Sequence, residues 1–239
     1  MVKNTFILIP SRIGSTRLKN KPLIDLQGKS MIQRAVLNAL DITENTYVAT
    51  DSSLVKENVL EISKNVIMTS SEHISGTDRI CEAAKKLDLD ENTLILNLQG
   101  DEPFIPGDLV IKVINEYHKN KCDVITVSTS IKSENELTNP NCVLVETDMN
   151  SYATNFVRTG NVKDPRRHLG IYGYSVKTLN ELVKLKPTRN ELSLKLEQLR
   201  FLENNYSIYV SGYDKQIPNG IDTQEDVENA LNYLKNENL

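Results

Sequence analysis

Cysteine is scarce in this sequence, and its distribution limits how the chain can be stabilised. Only three cysteines occur in 239 residues, at Cys81, Cys122 and Cys142. Their number is odd and they are scattered, without the paired spacing of a zinc site or a disulfide framework. We therefore expect reduced thiols, as in cytoplasmic proteins.

Long apolar runs and an excess of positive charge are also missing. No apolar run approaches the roughly eighteen residues that a membrane span needs, and the amino terminus lacks the apolar core and cleavage pattern of a signal peptide. The net charge is −4 and the pI about 5.5, so the protein as a whole does not attract nucleic acid or an anionic membrane. These features predict a cytoplasmic protein in which any basic site is local.

The common nucleotide-binding signatures are absent, although one loop is rich in cations. Residues 11–22 contain neither a Gly-x-x-x-x-Gly-Lys-Ser/Thr P-loop nor a Gly-x-Gly-x-x-Gly fingerprint. The loop supplies donors of the kind that a triphosphate requires: the amides near Gly14, the hydroxyls of Ser15 and Thr16, and the cations Arg12, Arg17, Lys19 and Lys21. A solvated basic loop is the alternative, but the position directly after an apolar strand favours phosphate binding.

The stretch 93–104 is the centre of the predicted fold. Four of the five residues from 94 to 98 are aliphatic, which is typical of a strand buried on both faces. The run ends at Gly100 and is followed by two carboxylates, Asp101 and Glu102. Ligands in open α/β sheets bind beyond the carboxyl ends of the strands, so these groups are suited to holding Mg²⁺ and, through it, a phosphate. A surface turn is the alternative, since glycine, aspartate and proline are common turn formers.

Strand and helix signals alternate over the first 130 residues. The patterns predict strands at 6–10, 46–50, 66–69, 94–98 and 122–129, and helices at 31–40, 54–62, 75–87 and 106–120. This alternation predicts an α/β fold with a mostly parallel, right-handed wound sheet. The chain length suits one large domain, or a core domain with a smaller lobe.

The pattern changes after about residue 130. Strands are predicted at 141–146, 171–175 and 207–210, and helices at 179–185, 192–202 and from a cap at 219–226 to about 235. Residues 153–167 are polar, basic and irregular, so we expect a lobe or a dimer arm there. Leu192, Leu196 and Leu199 follow the spacing of one helix face, which predicts a stripe in the core.

Several residues have both a functional and a structural interpretation. Residues 75–79 form a helix start suited to a phosphate, or an ordinary N-cap. Asp222 is either a second metal ligand beside Asp101 or a cap for the last helix. His168 is a lone histidine before an apolar strand, and such a residue is more often structural than catalytic. One charge cluster is either solvated surface or a group that binds an acidic substrate: Arg158, Arg166 and Arg167.

Seven groups of residues match one protein family in order from end to end. They are Ile9-Pro-Ser-Arg-Ile-Gly-Ser-Thr-Arg-Leu18 with Lys21-Pro-Leu23, Val48-Ala-Thr-Asp51, Met68-Thr69 with Ser75-Gly-Thr-Asp-Arg79, Asn97-Leu-Gln-Gly-Asp-Glu-Pro103, Arg167-His-Leu-Gly-Ile-Tyr-Gly-Tyr174, Leu196-Glu-Gln-Leu-Arg200 and Gly220-Ile-Asp-Thr223. With these residues the chain resembles the 3-deoxy-manno-octulosonate (KDO) cytidylyltransferases, also called CMP-KDO synthetases.

The resemblance implies an activity and an architecture. The activity is transfer of CMP from CTP to the anomeric hydroxyl of KDO, an eight-carbon acid sugar, with release of pyrophosphate and with Mg²⁺, for lipopolysaccharide or capsule synthesis. The architecture is a single nucleotidyltransferase (Rossmann-like) domain over residues 1–239. It carries a small dimerisation and sugar-binding excursion at about 150–174, so a homodimer is expected.

The resemblance also assigns roles to individual residues. Triphosphate-binding positions fall on Arg12, Arg17 and Lys21, and the metal-binding positions on Asp101 and Asp222. The remaining CTP-binding positions are Ser15, Ser75, Arg79 and Gln99. The sugar pocket is expected to contain Arg158, His168, Tyr172, Glu197 and Gln198. The expected catalytic set is Arg12, Lys21, Asp101 and Asp222.

The chain departs from the family pattern in the phosphate loop. The family usually reads Leu-Pro-Gly-Lys-Pro where this chain has Leu18-Lys-Asn-Lys-Pro22, so Lys19 and Asn20 change the stiffness and charge of the loop. Other departures lie on the sugar side, which leaves an amino-substituted KDO open. Two further alternatives are a synthetase of the sialic acid type and a sugar-nucleotide-binding module without turnover. Retention of both aspartates argues against the second.

Overall fold

One mixed sheet runs through the protein. We describe the fold from a computed structural model of residues 4–14, 17–139, 141–159, 162–215 and 217–237. Within these residues the sheet has nine strands: β1 (Thr5–Ser11), β2 (Thr46–Thr50), β3 (Val66–Met68), β4 (Leu94–Asn97), β5 (Val124–Thr129), β6 (Leu144–Thr147), β7 (Ala153–Val157), β8 (Arg166–Ser175) and β9 (Ile208–Gly212).

Helices connect most of these strands. They are α1 (Met31–Leu40), α2 (Ser53–Leu60), α3 (Gly76–Lys86), α4 (Gly107–Lys119), α5 (Glu134–Thr138), α6 (Val176–Leu182), α7 (Arg189–Leu194), α8 (Gln198–Glu203) and α9 (Gln224–Glu237), with a short 3₁₀ turn at Lys21–Leu23. Several of them begin at a serine or threonine side-chain cap, such as Ser30 before α1 and Ser75 before α3. No helix in the described part of the chain is long and apolar enough to cross a membrane.

The strand order is β3-β2-β1-β4-β8-β5-β9. β1 lies between β2 and β4, and all three run parallel, as do β2 with β3 and β5 with β9. β8 is antiparallel to both β4 and β5, and β6 continues the sheet from the first half of β8. The predicted α/β class with a mostly parallel wound sheet is therefore confirmed, with β8 as the strand that interrupts the parallel order.

The core lies on both faces of the sheet because the central strands are apolar throughout. All four residues of β4 are buried. α1, α2 and α4 pack on one face against Ile7, Ile9 and Leu96, while α3, α6 and α8 pack on the other against Leu8 and Ile95. β4 therefore sits in the middle of the molecule, as the sequence predicted, and its carboxyl end emerges from a packed core.

Gly173 in β8 has a packing reason. A Cβ at this position would lie 2.7 Å from Ile125 Cγ2 and 2.8 Å from Leu96 Cδ2, closer than real Cβ atoms approach other atoms. The missing side chain lets β4 and β5 place large aliphatic groups over the strand between them. A larger residue here would force the core apart.

A third, smaller core ties the cation-rich loop to the last helix. Leu18 from the loop and Leu26 shortly after it pack with Met31, Ile221 and residues of α9 that include Val227 and Leu234. Gln27 Nε2 also donates to the carbonyl of Leu231. The loop that carries Arg17 and Lys21 is thus attached to the segment that carries Asp222.

The structure corrects the prediction of an irregular segment at 153–167. Residues Ala153–Val157 form β7, which pairs with β6 in antiparallel register, and β8 already begins at Arg166. Ala153 and Phe156 are buried while Thr154 and Asn155 are exposed. The polar composition misled the prediction because β7 packs only one face against the protein.

The structure also corrects the predicted helix at 192–202. That stretch is divided into α7 and α8 by Lys195, whose backbone is left-handed with φ 54°. Leu192 is 65% exposed, whereas Leu196 and Leu199 are buried. The helical spacing of the three leucines was therefore misleading, because the chain turns between the first and the other two.

Candidate active site

A cavity of about 530 Å³ opens where β1 and β4 end. Four segments form its walls: the loop after β1, the loop into α3, the turn after β4 and the chain just before α9. Six of the seven residues predicted to bind CTP line it, namely Arg12, Arg17, Lys21, Ser75, Arg79 and Gln99. The seventh, Ser15, lies outside the described residues.

Lys21 lies between two carboxylates from distant parts of the chain. Its Nζ is 2.6 Å from Asp101 Oδ2 and 2.7 Å from Asp222 Oδ1. Burial lowers the pKa of Lys21, but the two carboxylates outweigh it and raise the pKa above its usual value. Only 12% of the Lys21 side chain is exposed, whereas Asp101 and Asp222 are 38% and 46% exposed. The two aspartates therefore contact the same ammonium group, and both are partly exposed to the cavity.

Backbone contacts fix the two aspartate segments against each other. The N–H of Ile221 donates to the carbonyl of Asp101 at 2.9 Å. A Cβ on Gly220 would lie 3.3 Å from Glu102 Cγ, which is tight, so the close approach suits glycine. The turn after β4 and the chain before α9 thus form one unit at this edge of the cavity.

Asp222 does not cap the last helix. Thr223 Oγ1 accepts the N–H of Asp226, and Asp226 Oδ2 accepts the N–H groups of Asp222 and Thr223. Thr223 and Asp226 therefore form the cap. The side chain of Asp222 instead contacts Lys21 and, at 3.2 Å, Arg17 Nη2. These contacts exclude the cap interpretation of Asp222, and its role as a metal ligand stays a prediction.

The amino terminus of α3 forms the opposite wall. Ser75 Oγ accepts the N–H of Asp78, and a Cβ on Gly76 would lie 3.3 Å from Pro10 Cγ, so the helix start comes close to β1. Arg79 is almost fully buried and donates to Asp51 Oδ2 at 2.8 Å and to Thr69 Oγ1 at 2.6 Å. Its guanidinium is therefore held in one orientation at the cavity wall.

The turn after β4 places Gln99 at the cavity floor. Gln99 Nε2 donates to Asn97 Oδ1 and to the carbonyl of Gly170, both at 3.2 Å. Next to it, a Cβ on Gly100 would lie 3.2 Å from Ile32 Cδ1 and 3.4 Å from the carbonyl of Pro10. The small residue lets the turn approach β1, which positions Asp101 at the mouth.

The five predicted sugar-side residues lie apart from the lining of this cavity. Tyr172 and His168 are neighbours on β8, with ring centroids 5.5 Å apart. Glu197 Oε2 accepts the hydroxyl of Thr77 at 2.8 Å, which places it against the first turn of α3, and Gln198 is buried at the start of α8. Burial raises the pKa of Tyr172 well above its usual value, and the nearby Glu197 adds to this. The structure thus brings Tyr172 near Glu197.

Two of these residues have clear structural partners. Arg158 donates to the carbonyls of Leu194 and Lys195, where α7 ends. His168 Nε2 is 2.8 Å from Thr126 Oγ1, its ring meets Phe156 edge-on, and burial lowers its pKa to about 3. His168 is therefore neutral at physiological pH.

Comparison with known proteins finds relatives over nearly the whole chain. The sequence model of the cytidylyltransferase family matches residues 6–208. A 3-deoxy-manno-octulosonate cytidylyltransferase of Thermodesulfovibrio yellowstonii is 40% identical over 247 residues, covering 95% of this chain and 96% of the relative. One of Polynucleobacter necessarius is 38% identical over 240 residues, covering 95% and 94%. The chain belongs to the cytidylyltransferase family.

Solved structures support the same assignment. CMP:2-keto-3-deoxy-manno-octonic acid synthetase, solved with CTP, has a TM-score of 0.91 and 31% identity, covering 98% of this chain and 100% of that one. A glucose-1-phosphate thymidylyltransferase structure from Bacillus anthracis has a TM-score of 0.70 at 15% identity, covering 96% and 94%, and shows the fold alone.

The family comparison gives the departure at Asn20 a structural meaning. Asn20 has φ 52° and ψ 37°, a left-handed backbone just before the turn that carries Lys21. Glycine, which stands here in the family pattern, adopts this conformation freely, and asparagine adopts it more readily than most residues. The substitution therefore keeps the direction of the loop.

Two of the residues that line this cavity have no functional role predicted from the sequence. His73 and Ile74 line it, and their only signal is their place directly before Ser75. Glu102, which the sequence suggested together with Asp101 for Mg²⁺, is not among the described residues that line the cavity. Its Oε2 is buried and has no hydrogen-bond partner among the described residues, and burial with repulsion from Asp101 raises the pKa of Glu102 to about 7.

Proposed function

We propose that this protein transfers CMP from CTP to the anomeric hydroxyl of 3-deoxy-manno-octulosonate and releases pyrophosphate. The observation that carries the proposal is the convergence of Lys21, Asp101 and Asp222 at the cavity where β1 and β4 end. The names of the full-length relatives supply the nucleotide and the sugar. Charge and spacing alone would accept any nucleoside triphosphate.

The reaction joins the sugar's hydroxyl oxygen to the α-phosphorus. The bond from that phosphorus to the oxygen bridging to the β-phosphate breaks, the hydroxyl loses its proton, and pyrophosphate leaves. Such a transfer depends on positioning and charge neutralisation, so it requires no nucleophilic side chain. In this proposal Arg12, Arg17 and Lys21 hold the triphosphate, and these cations neutralise charge on the departing pyrophosphate.

We also propose that Asp101 and Asp222 hold Mg²⁺. Mg²⁺ prefers oxygen ligands and is commonly bound by one or two carboxylates together with water and substrate phosphates. The two carboxylates fit this pattern, because they already share one cation, Lys21, and are partly exposed to the cavity. In this proposal substrate phosphate and water would complete the ligand shell, since no group of three or more His, Cys, Asp or Glu side chains in the described residues could do so alone. When bound, Mg²⁺ neutralises charge on the reacting oxygens.

For the sugar we retain the assignment that follows from the family resemblance. His168 and Tyr172 lie on β8, Glu197 and Gln198 at the start of α8, and Arg158 against the end of α7, and Glu197 joins this side to α3 through Thr77. The acid sugar would then approach between that side and the triphosphate. A direct test is whether changes at Tyr172 or Gln198 raise KM for the sugar and leave KM for CTP unchanged.

The main test is a pyrophosphate-release assay with Mg²⁺ over a matrix of nucleotides and acid sugars. The nucleotides are CTP, UTP, ATP and GTP, and the sugars are KDO, an amino-substituted KDO and sialic acid. We expect release with CTP and KDO, and poor release with ATP or GTP. Equal rates with all nucleotides would rule out the cytidylyl assignment. Preference for sialic acid would identify the other type of synthetase, and CTP binding without any product would favour a binding module.

A further inference from the structure

The loop into α3 is anchored at its two ends and again in its middle. At its start, the N–H of Thr69 donates to the carbonyl of Thr50 at 2.8 Å. At its end, Ser75 caps α3. Between these points lie His73 and Ile74, which line the cavity, and Ile74 is 92% exposed. An exposed segment makes few packing contacts of its own. It keeps one conformation only if other residues of the protein contact it.

Glu82, on the second turn of α3, supplies that hold. Its Oε2 accepts the N–H of Ser70 at 2.9 Å and lies 2.5 Å from His73 Nε2. Its Oε1 pairs with Lys86 Nζ at 2.7 Å, and Lys86 also donates to the carbonyl of Met68. One carboxylate thus joins the helix to both halves of the loop.

The Glu82 side chain is ionised at neutral pH. Burial alone would raise its pKa, but hydrogen bonds from Lys86, the Ser70 N–H and His73 outweigh burial and hold the pKa at about 2. An ionised carboxylate accepts all of these hydrogen bonds at once, whereas a neutral amide would turn its NH₂ group toward a donor. The position therefore requires the charge as well as the shape.

We infer that Glu82 is a positioning residue for nucleotide binding, which acts by holding His73 and Ile74 as one wall of the cavity. The inference rests on the proposed function, because it takes the cavity to be the CTP site. Glu82 itself does not line the cavity. A residue that shapes a wall contributes equally to the bound substrate and to the transition state, so its loss should raise KM and leave kcat unchanged.

The test compares Glu82→Gln with Glu72→Gln. Glu72 lies in the same loop and is exposed, so its substitution removes the same charge without disturbing the contact to His73. For Glu82→Gln we expect about a tenfold higher KM for CTP, with kcat and KM for the sugar within about twofold of the wild type. The Kd for CTP, measured by calorimetry with Mg²⁺ and without sugar, should rise by the same factor. Glu72→Gln should match the wild type in KM for CTP, KM for the sugar, kcat and Kd for CTP.

A double-mutant cycle tests whether Glu82 acts through His73. His73→Ala alone should weaken CTP binding, and Glu82→Gln added to it should cost much less than it does in the wild type. If Glu82→Gln fails to fold, His73→Ala still tests the wall, since it leaves the bonds to Ser70 and Lys86 in place.

Three results would overturn the inference. The first is an unchanged Kd for CTP in Glu82→Gln and His73→Ala. The second is a fall in kcat of Glu82→Gln without a change in its KM for CTP, and the third is full additivity of the Glu82→Gln and His73→Ala changes in the double-mutant cycle. None of these affects the proposed function, which depends on wild-type turnover with CTP. Conversely, a wild-type protein that binds no CTP would end both.

Discussion

Lys21 sets the electrostatics of the cavity at the scale of single residues. Its ammonium meets Asp101 and Asp222 at hydrogen-bond distance, and Arg17 adds a second cation beside Asp222. Two carboxylates that face one cavity repel each other unless a cation lies between them, and Lys21 provides that cation. The same two carboxylates offer the hard oxygens that Mg²⁺ prefers, and the triphosphate offers Lys21 another anion. The residue that holds the carboxylates together is thus also suited to the phosphate.

Replacing either aspartate by asparagine tests the shared metal site. Each change removes charge and nearly preserves shape, so folding should survive while turnover falls on the order of 10²-fold or more, as when a group that stabilises transition-state charge is lost. The double variant should lose little more than either single one, because the metal is already misplaced. Turnover is measured against Mg²⁺ concentration for Asp101→Asn, Asp222→Asn and the pair.

Asp108→Asn serves as the matched control. Asp108 also pairs with a lysine, Lys215, but lies on α4 and does not line the cavity. Its variant should keep wild-type turnover and Mg²⁺ dependence. A fully active Asp222→Asn enzyme with unchanged Mg²⁺ dependence would refute the shared site and leave Asp101 as the only ligand.

At the scale of elements, β8 joins the two halves of the sheet through buried side chains. His168 lies on this strand, with its Nε2 beside Thr126 of β5 and its ring against Phe156 of β7. Three strands therefore meet at one imidazole. Because burial disfavours the charged ring, the contacts of His168 with Thr126 and Phe156 depend on a neutral imidazole.

The buried, neutral His168 predicts that the free energy of unfolding depends on pH. The pKa of His168 is about 3 in the folded protein and about 6.5 in an unfolded chain, so between these values only the unfolded chain binds the proton. The contribution of neutral, buried His168 to the free energy of unfolding is therefore complete well above pH 6.5. It is lost as the pH falls from about 6.5 toward 3. From pH 7.5 to 5.5 the wild type should lose about 1 kcal/mol more of its free energy of unfolding than His168→Leu does.

Urea unfolding at the two pH values measures this difference. The comparison uses the change with pH in each protein, so a general loss of stability in His168→Leu does not affect it. His118→Gln, at an exposed position on α4, is the matched control and should keep the wild-type change. An equal change in the wild type and His168→Leu would contradict the prediction.

At the scale of the whole molecule, the cavity is assembled from segments that are far apart in the chain. The loop after β1, the start of α3, the turn after β4 and the chain before α9 meet at one edge of the sheet. The third core, formed with α9, ties the first and last of these together. Weakening that core should therefore disturb Lys21 and Asp222 jointly.

The segment 150–174 is predicted to pair two chains into a homodimer. The region contains β7 and most of β8, and the turn before β7 carries Met149, which is 97% exposed. An exposed apolar residue at the tip of a hairpin is consistent with a partner, and the family resemblance places the dimer contact here. Light scattering at micromolar concentration should give twice the mass of one chain. A monomer under these conditions would count against the prediction.

The sequence by itself determined the local features. An aliphatic run fixed β4 as a buried strand, serine before a helical pattern fixed the cap of α3, and the position of the cations after β1 indicated the phosphate loop. These features depend on neighbours in the chain, so a pattern of a few residues carries the information. The family motifs are also short and local, and they indicated the fold class, the nucleotide and the sugar.

Tertiary structure alone decided which distant residues meet. The cap interpretation of Asp222 is excluded only by the fold, which brings its carboxylate to Lys21 and leaves the cap to Thr223. The helix predicted at 192–202 followed the leucine spacing, but the left-handed turn at Lys195 and its contacts with Arg158 divide it. β7 was not predicted because only one of its faces is buried. The contact between Glu82 and His73 depends on the path of the loop before α3. In each case the deciding energy comes from contacts between segments, which a pattern along the chain does not contain.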